Sequence, residues 1–513
     1  MTGDAVAHRP TAVVVGGGIA GLSAAWALTS AAPGLGVVVL ESDDRLGGKL
    51  RTGEIGGRAV DLGPDAFLAR RPEAVALCHE IGLGDELVAP GDRRAYVWSR
   101  RRLRALPAGL ALGVPTRLGP LARSGILSPL GLGRAALDLL GWSVPGGGAR
   151  RHGTDRSVAD ITRRRLGREV TARLVDPLVG GIHAGDTSVL SAAAVFPPLL
   201  EAAARGGSLM RALRGAATPA APPGPGGTGR PQDDEGDDRP PVFLTVRGGL
   251  SRLVERLATA LAARGVEIRT DAPVDRLELV ARPVPPDGGP APAGNGTGGR
   301  WAVHTPHGTI AADAVVLATP AWATAGLLAT VDPATAALLD AIAYADVTLV
   351  TLRFPAAAVA EPLDGTGFLV PADGGRLVTA CTWLTSKWPE LRRTGDVLLR
   401  ASVGRAGDDR AARMSDDDLV ARIMDELGPV MGISERPTAI VVTRWPRSFP
   451  QYAVGHLERV AAIEAGVARL PALSLAGAAL HGVGIPACIG SGRRAADAVL
   501  HADALAGTGT AAP

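Results

Sequence analysis

The sequence predicts an α/β fold: a Rossmann-type dinucleotide-binding domain assembled from separated stretches of chain, a mixed-sheet second domain, and a helical subdomain. Three observations predict it. An apolar strand (AVVV, 12–15), a glycine turn (GGGIAG, 16–21) and a helix (LSAAWALTSA, 22–31) open the chain, and a second apolar strand (LGVVVLE, 35–41) completes a βαβ unit. The last sixty residues return to the same α/β pattern. Between these ends the pattern is helical from about 110 to 215, and strand-rich and irregular over 340–450.

Each part follows in order. Residues 1–90 are the first piece of the dinucleotide domain, with a further glycine turn at SDDRLGGKLRT (42–52) and a strand-like RAVDLGPDAFL (58–68). Residues 91–215 are the substrate-side helical subdomain. The tract 216–241, rich in Pro and Gly and acidic at its end, reads as a disordered loop. Strand, turn, amphipathic helix and strand then follow in 242–320, the second piece, broken by a Pro/Gly insertion at 282–300. Residues 321–440 form the substrate domain, and 441–513 the third piece of the dinucleotide domain.

Composition narrows the class. A chain of 513 residues exceeds one compact core. Apolar residues at 46% and charged residues at 20% fit a soluble globular protein. A net charge of +3 is too small to argue for nucleic acid, and arginine supplies nearly all the positive charge, Lys49 and Lys387 being the only lysines. Cys78, Cys381 and Cys488 are too far apart for a metal motif and suit a reduced, cytoplasmic compartment. The opening MTGDAVAHRP is polar and does not read as a signal peptide. AVVLATPAWATAGLLATV (314–331) is long enough to span a membrane, but Pro320 and its threonines favour a strand, a turn and a short helix. No His/Cys cluster suggests a metal.

GGGIAG carries the first chemistry. Gly16 permits the tight turn, Gly18 lets a pyrophosphate approach the backbone, and Gly21 lets the helix pack on the sheet, while the helix N-terminus favours the phosphates. Glu41 ends the next strand twenty residues after Gly21, where a carboxylate accepts hydrogen bonds from ribose hydroxyls. Gly47 and Gly48, with the turn that Pro64 fixes in GPDAF (63–67), read as backbone passing close to the cofactor, which favours FAD over NAD. The closing segment SLAGAALHGVGIPACIGSGRRAAD would then be the chain returning to the flavin, its helix opening near Ile485 and Pro486. Ala478 stands there where flavoproteins in general place an acid.

The blocks GGGIAGL, ESDDRLGGKLRT, LGPDAFL, DPLVGGIHAGD, RGGLSRLVE, GTGFLVP, TACTW, KWPE, RWPRSFPQYAVGH and LAGAALHGVGIPACIGSG together resemble the oxygen-dependent porphyrinogen oxidases. These are the FAD enzymes of haem biosynthesis within the amine-oxidase-like superfamily. The likeness spans nearly the whole chain apart from the two low-complexity insertions, and looks closest to the bacterial coproporphyrinogen III oxidases. It implies a two-domain flavoprotein with non-covalent FAD. It also implies cofactor contacts at Gly16, Gly17, Gly18, Ile19, Ala20, Gly21, Glu41, Ser42, Lys49, Gly63, Pro64, Asp65, Ala66, Val274, Trp445, Val483, Gly484 and Ile485. Val274 sits in DAPVDRLEL, which reads as the strand offering backbone groups to the adenine. Trp445 also reads as a plain core aromatic.

A porphyrinogen is a large apolar ring with acidic arms, so its pocket should be apolar with cations at the rim. The resemblance puts a carboxylate-binding arginine at Arg94, with Arg93, Arg70 and Arg71 nearby; each reads equally as a solvated surface residue. Phe368 and Leu369 are candidates to pack on the ring, or ordinary core. Cys488 reads as a small buried thiol and not a flavin attachment, and His183 as packing or hydrogen bonding where a general base is the rival reading. No residue is assigned a catalytic role: hydride passes from a methylene bridge to the flavin, a pyrrole N–H loses its proton, and O2 restores the flavin with release of H2O2. The rivals are protoporphyrinogen as substrate, a flavin amine oxidase, for which three Tyr and six Phe offer little to build an aromatic cage, and a porphyrin-binding protein without redox activity. Contact with a downstream ferrochelatase and the oligomeric state stay open. So does peripheral membrane contact through the apolar SGILSPLGLGRAALDLLGWSV (124–144), which lacks a basic face.

Overall fold

The structure is a computed structural model and describes residues 9–141, 155–214, 241–280, 300–392 and 395–502. The expected loop at 216–241 lies outside them except for its last residue, as does the insertion at 282–300 except for the backbone of its last. In chain order the strands of the two main sheets are β1 (Thr11–Val15), β2 (Gly36–Leu40), β3 (Tyr96–Ser99), β4 (Arg102–Ala105), β5 (Glu267–Arg269), β6 (Ala314–Leu317), β7 (Tyr344–Pro355), β8 (Gly367–Leu369), β9 (Val378–Trp383), β10 (Asp396–Val403), β11 (Ala439–Pro450) and β12 (Leu473–Leu475). The helices that matter are α1 (Ile19–Ala31), α2 (Ser251–Ala263), α3 (Ala321–Leu328), α4 (Pro333–Asp340), α5 (Asp416–Met431), α6 (His456–Val467) and α7 (Ile485–Leu500).

Five strands from four distant stretches make one parallel sheet, in the order β5–β2–β1–β6–β12. Its central strands are runs of Val, Ala and Leu because helices cover both faces. On one face Ala12, Val14, Val37 and Val39 pack with Leu22 and Leu28 of α1, Leu253 and Leu257 of α2, and Ile489 and Ala496 of α7. On the other, Val13, Val15, Val38 and Leu40 pack with Ala325 and Leu328 of α3 and Leu339 of α4. The chain boundary expected at 320/321 is thereby corrected: α3 and α4 belong to the parallel sheet's core because their apolar faces cover it.

The second sheet has seven strands in the order β11–β7–β10–β9–β8–β3–β4, antiparallel except between β8 and β3. The boundary expected at 440/441 falls inside β11, which pairs along its length with β7, so 441–450 belong to this sheet. One face carries Val350, Leu352, Phe354, Leu399, Ala401 and Trp383, covered by Leu419, Ile423 and Leu427 of α5. Here the strand-rich reading of 340–450 missed a sixteen-residue helix. α5 has full sequence signals: Ser415 caps it by accepting from the Asp418 N–H, three aspartates fill its first turn, and Gly432 closes it in the left-handed conformation.

RAVDLGPDAFL is likewise two short strands, Arg58–Asp61 and Phe67–Leu68, with an irregular turn between them. The strand, turn and short helix read in 314–331 are present. Among the described residues no helix is long and apolar enough to cross a membrane. The described part of 124–144 forms short helices whose Leu130 and Leu140 are 87% and 82% exposed.

Candidate active site

The glycine turn between β1 and α1 is shaped residue by residue. A Cβ on Gly21 would stand 1.9 Å from the Gly16 carbonyl oxygen, and one on Gly16, at φ +107°, 3.0 Å from that of Ala318. Gly18 differs: nothing lies within 4 Å of where its Cβ would be, so its backbone faces open space. Gly18 is also the N-cap of α1 without a side-chain cap, leaving first-turn N–H groups for an anion. The second glycine turn lies against the first, with the Gly47 N–H donating to the Gly17 carbonyl at 2.9 Å and a Cβ on Gly48 standing 3.6 Å from Gly18 Cα.

Glu41 joins the end of β2 to this turn. Its Oε2 accepts from the Gly17 N–H at 2.7 Å, and its Oε1 accepts from Ser42 Oγ at 3.1 Å and the Asp43 N–H at 3.0 Å. A carboxylate offers about four acceptor positions, so the capacity left for a ribose hydroxyl is on Oε2. Val274 lies beside it, because the Ala272 N–H donates to the Glu41 carbonyl and the Asp271 N–H to that of Asp43. Val274 itself is in coil just ahead of the strand Arg276–Val280, not in a strand as expected.

The closing segment comes to the same groove. β12 and β1 both run parallel to β6, so α1 and α7 set off from the same edge of the sheet. The two helices touch at glycine: a Cβ on Gly492 would stand 2.1 Å from the Ala20 carbonyl oxygen. Gly492 is seven residues into α7 and Ala20 only one into α1. At 1.5 Å per residue the start of α7 projects about 9 Å beyond that of α1. Its N-cap, Gly484, is exposed and has no side-chain cap, and Pro486 occupies a first-turn position. Two uncapped helix N-termini thus stand in sequence along one groove, with Gly16, Gly17, Gly18, Ile19, Ala20 and Gly21 at one and Val483, Gly484 and Ile485 at the other.

The turn 478–482 is held by residues that sequence reasoning did not single out. The Tyr452 hydroxyl donates to the Ala478 carbonyl and accepts from the Gly482 N–H, and His456 bonds the Leu480 carbonyl through Nε2 at 3.0 Å. The two rings stack, with centroids 4.0 Å apart. Both lie in PQYAVGH, whose spacing was the available signal.

Residues 63–66 fasten the groove to the mixed sheet. Gly63 is required because a Cβ there would meet the Lys49 carbonyl oxygen at 2.1 Å. Trp445 donates its indole N–H to the Leu62 carbonyl at 2.8 Å, leaving only its ring face for a cofactor. The Asp65 carboxylate accepts from Lys387 Nζ at 2.9 and 3.0 Å and from Trp388 Nε1 at 3.1 Å, with Arg400 NH2 at 3.1 Å. Burial opposes its ionisation, but Arg400 and Lys387 outweigh that and hold it far below the ordinary carboxylate range. Its side chain is therefore committed to the protein, and any cofactor contact at Gly63, Pro64, Asp65 and Ala66 is made by backbone or by the exposed Pro64. Lys49 is half-buried as a residue, its ammonium has no hydrogen bond or ion pair among the described residues, and desolvation lowers its pKa.

The sheet face that bears Arg400 and Trp445 is turned towards this turn. A row in register crosses it: Thr443, Leu349, Ser402, Ala380, Leu369 and Val97 on six neighbouring strands. All but Val97 are half-buried, the exposure expected of a pocket wall. Leu369 belongs to this wall, but Phe368 points the other way into the core beside Trp383, their rings 6.4 Å apart, because neighbours on a strand face opposite sides. Arg94 is not a free cation: it pairs with Asp364 at 2.8 Å and Asp92 at 3.2 Å in an exposed position just ahead of β3, and a propionate would have to displace one of them. Arg70 and Arg71 are exposed beside the 63–66 turn with no ion pair among the described residues. The thiols of Cys78, Cys381 and Cys488 are free and buried, and burial pushes Cys488 up to about 11.

Known proteins share this architecture. The profile of the family described as flavin containing amine oxidoreductase matches residues 19–500. A coproporphyrinogen III oxidase of Propionibacterium freudenreichii subsp. freudenreichii is 37% identical over 97% of this chain and 92% of its own, and one of Bacillus subtilis (strain 168) is 33% identical over 94% and 96%. The crystal structure of a protein from Exiguobacterium sp. 255-15, provisionally named a protoporphyrinogen oxidase, superposes with a TM-score of 0.78 at 29% identity, covering 96% of this chain and 99% of that one. A groove ending in two uncapped helix N-termini, matched over nearly the whole chain, places the protein in the flavin containing amine oxidoreductase family.

Proposed function

We propose that the chain is an FAD-dependent oxidase that converts coproporphyrinogen III to coproporphyrin III with O2, releasing H2O2, and that it holds FAD without a covalent bond. The observation that carries the reading is the pair of uncapped glycine N-termini that set off from the same edge of the parallel sheet, the start of α7 about 9 Å further along than that of α1, the arrangement a dinucleotide needs for a pyrophosphate at one end and a flavin ring at the other. Full-length relatives that bear the coproporphyrinogen oxidase name supply the substrate.

When bound, FAD accepts hydride from the substrate and passes the electrons to O2. The chain's own residues do the rest. Gly16 to Gly21 and the first turn of α1 receive the pyrophosphate, Glu41 the ribose, and the backbone near Val274 the adenine. The start of α7, at Val483 to Ile485, faces the flavin ring, where its dipole favours negative charge on the reduced ring. The row from Thr443 to Leu369, three aliphatic side chains and two hydroxyls, forms the wall beside it, and Arg70 and Arg71, without an ion pair among the described residues, are the cations available to propionates at the rim. The thiol of Cys488, protonated and buried, is not a nucleophile for attachment.

The purified protein is expected to carry flavin that heat or acid precipitation releases into solution. It is expected to turn coproporphyrinogen III fluorescent in air faster than protoporphyrinogen IX, with H2O2 formed in step. A protein without flavin, or one that releases H2O2 from polyamines and leaves both porphyrinogens untouched, would overturn the reading.

A further inference from the structure

His183 ends the helical stretch that begins at Thr171, at a point where three parts of the molecule meet. Its carbonyl accepts from Gln451 Nε2 at 3.0 Å, and its ring centroid stands 6.1 Å from that of Tyr452. Two residues earlier, a Cβ on Gly181 would stand 3.9 Å from Cδ2 of Leu369, on the half-buried row of the mixed sheet. Tyr452 in turn holds the turn that leads into α7. The imidazole thus stands beside the ring that holds the turn into α7, on the same helical stretch whose Gly181 meets the wall given to the substrate.

Neither ring nitrogen has a hydrogen-bond partner among the described residues. Nδ1 is fully buried, which leaves the Nε2 edge as the accessible one. Burial alone holds the ring's pKa down to about 4, so the imidazole is neutral at pH 7. The charged groups around it are engaged elsewhere. On its own stretch Asp176 is bound to Thr187 and faces Arg405, and Asp186 accepts from the Ser188 N–H. From the facing segment come Tyr452, whose hydroxyl is bound to the 478–482 turn, and His456 stacked behind it.

We propose that His183 is the proton acceptor of this site, its Nε2 taking the proton of a pyrrole N–H while hydride leaves the adjoining methylene bridge for the flavin. The inference rests on the porphyrinogen reading above. One C–H and one N–H bond break and the carbon–nitrogen framework gains one double bond. The flavin is reduced by the hydride and O2 is reduced when it takes the electrons back. The proton passes from Nε2 to solvent, and formation of H2O2 consumes it. The role requires the tautomer protonated on Nδ1.

His183→Phe keeps an aromatic ring against Tyr452 and removes the base. We expect kcat on coproporphyrinogen III to fall about 100-fold or more, with KM within about threefold of the parent's. FAD content, and the affinity for coproporphyrin III read by fluorescence quenching, should be unchanged. Added imidazole should restore His183→Ala in proportion to its free-base concentration. Parent kcat in His183→Phe overturns the assignment. So does a loss of kcat that follows loss of FAD or coproporphyrin binding without rescue by imidazole, which is what a packing role would give. A parent protein that carries FAD and leaves coproporphyrinogen III untouched overturns the functional reading too, and does so before any substitution is made.

Discussion

Gly18 and Gly21 stand three residues apart and are glycine for opposite reasons. Gly21 answers to the protein, since its Cβ would strike the Gly16 carbonyl oxygen, whereas Gly18 has no protein atom to avoid. Gly18→Ala is therefore expected to leave unfolding in the absence of FAD within about 0.5 kcal/mol of the parent while FAD affinity falls at least tenfold, about 1.4 kcal/mol. Gly21→Ala should destabilise the fold itself by about 1–3 kcal/mol. Thermal unfolding with and without FAD separates the two. Tyr452 is the second residue whose identity is set by atoms and not by volume. Tyr452→Phe keeps the stack on His456 but leaves the Ala478 carbonyl and the Gly482 N–H without their partner. A loss of about 1–3 kcal/mol in unfolding free energy is expected, with FAD content falling in parallel because the turn leads into α7. These roles differ in how legible they are. The glycines announce themselves by spacing, but nothing local says that Tyr452 and Ala478 are bonded across 26 residues.

At the scale of elements, two aspartates of the segment 58–68 respond to pH in opposite directions. Asp61 is pushed up to about 6, chiefly by burial, against the pull of the Thr52 hydroxyl and the Leu250 N–H. A folded pKa above the unfolded value near 4 means that the folded chain holds this proton more tightly. Its ionisation therefore weakens the fold progressively as pH rises from 4 to 6, by up to about 3 kcal/mol above that window. Asp61→Asn can still accept from Thr52 and Leu250, so its stability relative to the parent should grow between pH 4 and pH 6.5; a flat difference in urea midpoints would refute this. Asp65 has the opposite sign. Its folded pKa is depressed, so its contribution is present above pH 4 and is lost as pH falls below it. Asp65→Asn leaves Lys387 and Arg400 buried without their counter-charge and should cost about 3–5 kcal/mol at pH 7, read by denaturant unfolding. That cluster joins a turn of the first ninety residues to one strand and a short helix more than 300 residues later, and sequence separation hid it.

Across the whole molecule, the groove is made by chain from both ends, so a ligand bound in it links the closing segment to the opening one. Added FAD at a hundredfold excess over its Kd should raise unfolding free energy by about 2.7 kcal/mol, and a melting temperature indifferent to FAD would show that the groove is not its site. The sequence by itself determined the α/β class, the opening βαβ unit, the return of the last segment and the glycine spacing. These rest on local sterics and on apolar periodicity, which neighbouring residues carry in full. It named Arg94, Phe368, Leu369 and Val274 but could not say which way Phe368 faces or what Arg94 already holds. A strand puts adjacent residues on opposite sides, and an arginine's charge is available only if no carboxylate comes to it in space. It lost α5 among strands although Ser415, the three aspartates and Gly432 mark the helix locally; only its role, covering one face of the seven-stranded sheet, belongs to the tertiary structure. Only the tertiary structure decided that α3 and α4 pack on the parallel sheet, that Asp65 is held by Lys387 and Arg400, and that the His183 ring stands beside Tyr452 with no hydrogen bond among the described residues. Each is a contact between residues far apart in the chain, and burial, which sets their energies, exists only once the chain has closed on itself.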